Sequence, residues 1–272
     1  MTLAASTTST PPRFARRAGG DDDGTVNWEQ VRANQRLWDR ISPWYQEAHG
    51  PQIGRRPKLW GAWSVPEEEL GALGPTVGLR VLELGCGGAQ WAAALAAEGA
   101  AAVGLDLSGE QLRAARARAP DLPLAHAAAE ALPFRSSSFD LVFCDHGALS
   151  WSNPKDTVPE AARVLVPGGR LVFNTASPWL RVCYDDPSDR LTANLHCSYF
   201  GLGALDEGDG ARTYTLTYGA WIRVLRANGF IVEDLIEPQP APKASSSYYT
   251  CDPADWANRW PAETLWVTRK MG

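Results

Sequence analysis

Residues 81–89 read Val81-Leu82-Glu83-Leu84-Gly85-Cys86-Gly87-Gly88-Ala89, and the reading of the whole chain turns on them. Arg80–Leu84 is a short apolar run of strand type, the glycines make a turn, and residues 89–98 are an alanine-rich helical segment closed by Gly99. Bare glycine backbone at the mouth of a helix lets a ligand reach N–H groups with no side chain between. Two features narrow the ligand. A dinucleotide fingerprint, G-x-G-x-x-G, would put glycine at position 90, where this chain has Gln90. Glu83 stands two residues before the first glycine, where a carboxylate repels a pyrophosphate and attracts a cationic amino-acid head.

Toward the C terminus the pattern repeats. Ala101–Asp106 is a second strand, and it ends on an acid 23 residues beyond Glu83, a place from which a carboxylate accepts from both hydroxyls of a ribose. The ligand so deduced is an adenosine-like ribose joined to something cationic. Ser108-Gly109-Glu110-Gln111 fits an S-x-x-Q capping box. Leu122–Ala127 and Asp140–Asp145 are third and fourth strands, followed by a helix to about Leu165. Pro167-Gly168-Gly169 is a turn before a fifth strand, Arg170–Asn174. Strand and helix in alternation with short links predict an α/β fold with a parallel sheet covered on both faces. The rhythm breaks over 176–213, then resumes with a helix at 219–228 and a strand at Phe230–Ile236. A loop over 237–258 precedes a final strand, Thr264–Arg269.

Toward the N terminus, Trp28, Val31, Asn34, Trp38 and Ile41 share one face of a helix from Asn27 to about Ser42, which Pro43 is expected to stop. A second short helix is expected from Pro66, with Glu67, Glu68 and Glu69 at its positive end. Residues 1–26, rich in Ser, Thr, Pro and Gly and then acidic at Asp21–Asp23, read as a disordered tail. Residues 27–79 form an aromatic helical lid segment, and 80–272 form the main domain with an insertion at about 176–213.

Composition sets the outer bounds. In 272 residues, 44% are hydrophobic and 21% charged, which excludes a wholly disordered or collagen-like chain. A net charge of −5 speaks against a nucleic-acid partner, and no stretch reaches the ~20 apolar residues of a membrane span. The five cysteines form no C-x-x-C pair and the four histidines no H-x-x-x-H pair, so no metal site is expected. A reduced cytoplasmic compartment follows. The alternative is an organelle, if Arg13, Arg16 and Arg17 belong to a transit peptide.

The segments VLELGCGGA (81–89), GLDLSGEQL (104–112), AEALPF (129–134), FDLVFCD (139–145) and ARVLVPGGRLVF (162–173) resemble, in order and spacing, a class I S-adenosylmethionine-dependent methyltransferase with a methyltransferase-11 type domain. That resemblance implies a Rossmann-like, doubly wound, mostly parallel seven-stranded sheet of order 3-2-1-4-5-7-6, and S-adenosyl-L-methionine as cofactor. It implies that Gly85, Cys86 and Gly87 pack against the methionine part and the ribose, and that Glu83 faces the amino group. Asp106 would hold the ribose hydroxyls, Leu107 would lie on the adenine, and Ala129 and Glu130 would edge it. The backbone at Cys144 and Asp145 would close the methionine side. Gln111 either reaches the nucleoside or only caps its helix. The family commonly has an Asp where this chain has Ala128, so the adenine amino group loses a partner; His126 either compensates or is a satisfied strand histidine.

Methyl transfer from a sulfonium needs alignment and exclusion of water, and a base only where the acceptor must lose a proton. His146, directly after the fourth strand at the switch point of the sheet, is the candidate base, and Asp145 is the second. Tyr45 is expected near the cofactor carboxylate, and Trp60 or Trp63 near its methionine end or the acceptor. Trp151, Trp179, Tyr184 and Tyr199 suit an apolar acceptor pocket. The expected activity is methylation of a small organic acceptor at O, N, C or S. A non-catalytic S-adenosylmethionine-binding protein and a protein-modifying methyltransferase are the alternatives.

Overall fold

Period-two alternation sorts the apolar residues onto two faces of one sheet. Val81, Leu141, Phe143, Val172, Leu265 and Val267 go to one core cluster, while Leu82, Leu84, Val142, Phe173 and Trp266 go to the other. Each fully buried Leu, Val or Phe in these clusters contributes roughly 1.5–3 kcal/mol. The computed structural model describes residues 25–54, 58–188, 190–248 and 254–272. The tail expected over 1–26 lies outside these as far as Gly24, and Cys251 is also outside them.

The strands are β1 (Arg80–Leu84), β2 (Ala101–Asp106), β3 (Leu124–His126), β4 (Phe139–Asp145), β5 (Leu165–Ala176), β6 (Phe230–Ile236) and β7 (Glu263–Lys270). They lie in the order β3-β2-β1-β4-β5-β7-β6. The first five are parallel, and β7 runs antiparallel to both of its neighbours. This is the doubly wound, Rossmann-like order expected. The helices are α1 (Trp28–Ile53), α2 (Gln90–Ala97), α3 (Gly109–Arg118), α4 (Pro154–Val164) and α5 (Tyr218–Ala227). Trp91 and Leu95 of α2 and Ala115 of α3 close the first face, while Val158 and Ala161 of α4 and Trp221 and Leu225 of α5 close the second. Among the described residues no helix is long and apolar enough to cross a membrane.

Two local expectations needed correction. Pro43 does not stop α1, which continues to Ile53 with Pro43 and Pro51 inside it. An internal proline costs about 3 kcal/mol, but the last turns are held from outside. The Tyr45 phenol lies 2.9 Å from that of Tyr248, His49 stacks on the Tyr248 ring at 4.1 Å, and Gln52 Nε2 donates to the Ala62 carbonyl at 2.9 Å. Only half of the capping box forms: Ser108 Oγ accepts from Gln111 N at 3.2 Å, but the Gln111 side chain turns away to accept from Gln46 Nε2 at 2.7 Å.

The excursion after β5 is built, not featureless. Ser177 Oγ caps a helical turn at Pro178–Val182, and a hairpin pairs Ala204–Gly208 with Ala211–Tyr214. Ala211 packs on Ala33 and Leu37 of α1, and Asn34 brackets the backbone of Arg212, donating to its carbonyl and accepting from its N–H. The hairpin therefore fixes where α1 crosses the carboxyl ends of the strands.

Candidate active site

A cavity of about 660 Å³, its open mouth included, lies over the carboxyl ends of β1, β2 and β4. The position is the topological switch point of the sheet. Its wall takes in Gly85, Gly87, Asp106, Leu107, Gln111, Ala129 and Glu130 of the expected cofactor residues, and both Asp145 and His146. Tyr45 and Trp38 of α1 and Trp151 complete it.

The glycine turn is held from behind. Gly85 and Cys86 both donate to the Leu105 carbonyl, and Gly87 N donates to Asp106 Oδ2 at 2.8 Å. Asp106 Oδ1 accepts from Ser108 N at 2.8 Å, so each carboxylate oxygen keeps a lone pair for a further donor. Burial pushes the Asp106 carboxyl up to about 6 against the pull of those two N–H groups and of His126. Gly85 has φ +69°, and a Cβ there would fall 2.4 Å from the Ala148 nitrogen. A Cβ on Gly147 would in turn meet the Leu84 and Gly85 carbonyl oxygens at 2.6 Å. The turn after β1 and the loop after β4 thus touch backbone to backbone, which only glycine permits.

Three expected cofactor residues stand off the wall. Glu83 lies on the α2 face of β1, where Oε2 accepts from Ala92 N at 2.9 Å at the positive end of α2. Burial pushes its carboxyl up to about 8. Cys86 is buried beneath the turn, where its Sγ would lie 2.9 Å from a Cβ on Gly104. Cys144 points into the second core cluster and accepts from Leu149 N. His126 is satisfied through Nε2 and the Leu107 carbonyl at 2.9 Å, and is not on the wall; nor is Ala128. Glu130 is on it, its carboxyl raised by burial to about 7.

At the other end, β4 delivers Asp145 and then His146, whose backbone sits at φ +51°, an uncommon conformation for a residue with a side chain. Asp145 Oδ1 accepts from Asn174 Nδ2 at 3.0 Å, and both its oxygens face Gly61 N, at 3.0 and 3.1 Å. Burial raises Asp145 to about 6, opposed by His146 and reinforced by Glu263. His146 Nε2 lies 2.5 Å from Glu263 Oε1. Burial alone would lower the imidazole pKa, but the charge and hydrogen bond of Glu263, with Asp145 behind, raise it above 6.5. Tyr45 hangs over this end, its phenol 2.9 Å from that of Tyr248 and pushed up to about 12 by burial.

Trp60 is core rather than wall: it is fully buried against Trp91 and Phe143, with Nε1 donating to Glu67 Oε2 at 2.6 Å. Trp63 packs with Val65, Leu180 and Trp256. Of the pocket aromatics, Trp151 lines the cavity; Trp179, Tyr184 and Tyr199 do not. Sequence reasoning missed Gln46, Gly61, Asn174 and Glu263. The one available signal was alternation along β7, which puts Glu263 on the same face as Leu265 and Val267 and so marks a buried carboxylate.

The wall carries three carboxylates, Asp106, Glu130 and Asp145, and among the described residues no lysine or arginine. Such an acceptor set fits a cationic sulfonium nucleoside and disfavours a pyrophosphate.

Residues 82–173 match the family model described as a methyltransferase domain. A demethylmenaquinone methyltransferase of Clavibacter sepedonicus is 40% identical over 156 residues, which is 55% of this chain and 62% of that protein. A ubiquinone biosynthesis O-methyltransferase of Paracidovorax citrulli is 38% identical over 109 residues, 38% of this chain and 46% of that protein. The chain thus spans between 46% and 62% of the length of these two curated relatives. Among solved structures, an S-adenosylmethionine dependent methyltransferase from Mesorhizobium loti superposes with a TM-score of 0.61 at 27% identity, covering 75% of this chain and 96% of that one. A 1,6-didemethyltoxoflavin-N1-methyltransferase of Burkholderia thailandensis, solved with its substrate and S-adenosylhomocysteine, shares the fold at 16% identity, with a TM-score of 0.60 over 100% and 99% of the two chains.

Proposed function

We propose that this chain, whose residues 82–173 match a methyltransferase domain, is a class I enzyme that moves a methyl group from S-adenosyl-L-methionine to a small organic acceptor. The observation that carries the reading is Asp106 at the tip of β2, bonded to the glycine turn on one oxygen and to Ser108 N on the other, facing a cavity wall with no lysine or arginine among the described residues. S-adenosylmethionine, when bound, supplies a methyl already activated on a sulfonium.

The chain's own residues do the rest. Asp106 accepts the ribose hydroxyls, Leu107 and Ala129 flank the base, and Glu130 stands at its edge in place of the acid missing at Ala128. Gln111, fixed by Gln46, presents its amide to the same end. Asp145 faces the ammonium group, the part first given to Glu83, which here serves the start of α2 instead. Gly85 and Gly87 let the ligand approach the turn. Tyr45 and Trp38 exclude water from above, and His146 is the base for an acceptor proton.

Charge supports the acceptor class: a carboxylate or phosphate would face Asp106, Glu130 and Asp145 with no lysine or arginine on the wall, whereas a neutral molecule meets no such opposition. Residues 27–79 act as the lid segment and 80–272 as the catalytic body, with 176–213 as its insertion. Cys86, Cys144, Cys183 and Cys197 as free thiols suit a cytoplasmic setting.

Thermal shift and calorimetry with S-adenosylhomocysteine, and separately NADH, test the reading. Stabilisation by the first is expected. A response to NADH alone overturns it, and binding without turnover across a broad acceptor panel makes the chain a non-catalytic binding protein.

A further inference from the structure

Glu263 is 1% exposed, sits 117 residues from His146 in sequence, and plays no part in the sheet's apolar core. Its setting is built around one orientation. Oε1 takes two donors, His146 Nε2 at 2.5 Å and Ala62 N at 2.8 Å. Oε2 is buried with no hydrogen-bond partner among the described residues and lies against Gly61, where a Cβ would fall only 2.0 Å from it. Gly61 has φ +68° and closes the turn between Leu59–Trp60 and Val65–Pro66, whose pairing presents two successive N–H groups, one to Asp145 and one to Glu263. A hydrogen-bonded turn from the N-terminal segment therefore seats a carboxylate from the last strand behind the imidazole.

We infer that Glu263 is a positioning residue that holds His146 with its proton on Nε2 and Nδ1 turned to the ligand, so that the acceptor atom is a hydroxyl oxygen. The inference rests on the methyltransferase reading and deepens it by naming the acceptor class. A carboxylate on Nε2 fixes the tautomer and stabilises the imidazolium that forms when Nδ1 takes a proton. An amine acceptor attacks with a free lone pair and has no need of such a base. A neutral hydroxyl does need one. Its proton passes to Nδ1 as an oxygen electron pair forms the carbon–oxygen bond and the carbon–sulfur pair leaves with sulfur. The positive charge lost at sulfur reappears on the imidazolium beside Glu263, and the proton then returns to solvent.

The charged and titratable groups around His146 are Glu263 from β7 and Asp145 from β4, with Tyr45 of α1 and Tyr248 facing Asp145. Removal of the Glu263 charge leaves burial as the dominant influence on the imidazole.

The test is an NMR titration of the four histidine Cε1–H signals in the full chain, with and without S-adenosylhomocysteine, for wild type, Glu263→Gln and Glu263→Asp. In wild type His146 should titrate above 6.5. Glu263→Gln should lower it by about 1–3 pH units, and Glu263→Asp should recover part of that. An unmoved His146 titration overturns the inference even if Glu263→Gln melts earlier, because a purely structural carboxylate moves stability and not this signal.

Tritium transfer from labelled S-adenosylmethionine to a panel of phenols, catechols and hydroquinones, against the matching anilines, tests the acceptor class. Labelled hydroxyl probes, with a drop of about 100-fold in Glu263→Gln, support it. Label on anilines at equal or greater rate, or no label on any hydroxyl probe, overturns it. If S-adenosylhomocysteine fails to bind, the methyltransferase reading falls, while the ligand-free titration still decides the dyad.

Discussion

The two ends of the cavity are made in opposite ways. The end proposed for the nucleoside comes from one continuous run, Gly85 to Glu130, in which each wall residue follows a strand tip by a few positions. The end proposed for methyl transfer is lined by Tyr45, Asp145 and His146, and Gly61, Asn174 and Glu263 bond to Asp145 and His146 from behind, so that α1, the turn of a short ribbon and three strands meet there. The first is a motif and the second a meeting. A fold that keeps its cofactor cradle local can exchange the remote pieces, so substrate choice can change while the cradle stays.

If the two ends do separate tasks, substitutions should separate them as well. The largest effect is expected from His146→Ala, with turnover on a hydroxyl probe falling about 10²–10⁴-fold and S-adenosylhomocysteine affinity by no more than about twofold. Steady-state kinetics beside calorimetry read both. An equal loss in the two would merge the ends and break the comparison. Asp106→Ala should do the reverse, weakening S-adenosylhomocysteine about 100-fold, since it removes charge-assisted bonds and leaves the Gly87 and Ser108 N–H groups without their acceptor.

A smaller effect is expected from pH. Asp106 and Asp145 are both raised to about 6, and a cationic ligand needs the carboxylate. Affinity for S-adenosylmethionine should therefore rise about tenfold from pH 5 to pH 7 for a single group of this kind. The sign for the ligand-free protein is opposite. These folded carboxyls, with Glu83 at about 8, hold protons that the unfolded chain has lost, so they contribute less stability as pH climbs from about 4 to 8. Thermal melts across that range, with and without ligand, should diverge as pH rises.

The smallest change is predicted for Glu83→Gln, which keeps an acceptor for Ala92 N. S-adenosylhomocysteine affinity should stay within about threefold. A tenfold loss would return Glu83 to the cofactor and make the nucleoside end wholly what its motif suggests.

Legibility follows the same division. Strand tips, the turn and Asp106 could be read because period-two alternation and glycine chemistry are local. Glu83 is legible as a strand residue, but spacing does not say which face a side chain takes, and its carboxylate lies on the α2 side, accepting from Ala92 N. Pro43 obeyed a local rule that Tyr45, His49 and Gln52 override from a distance. Glu263 had no motif at all. Its partner His146 lies three strands away, and only the antiparallel return of β7 beside β5 brings them together.

The contact between Gly85 and Gly147 carries a consequence for timing. With no side chain interposed, the two loops lie in direct backbone contact, and a shift of one bears on the other. His146 rides directly ahead of the second. If the methyl donor seats against the first as proposed, donor-first binding is the expected order, and product-inhibition kinetics check it.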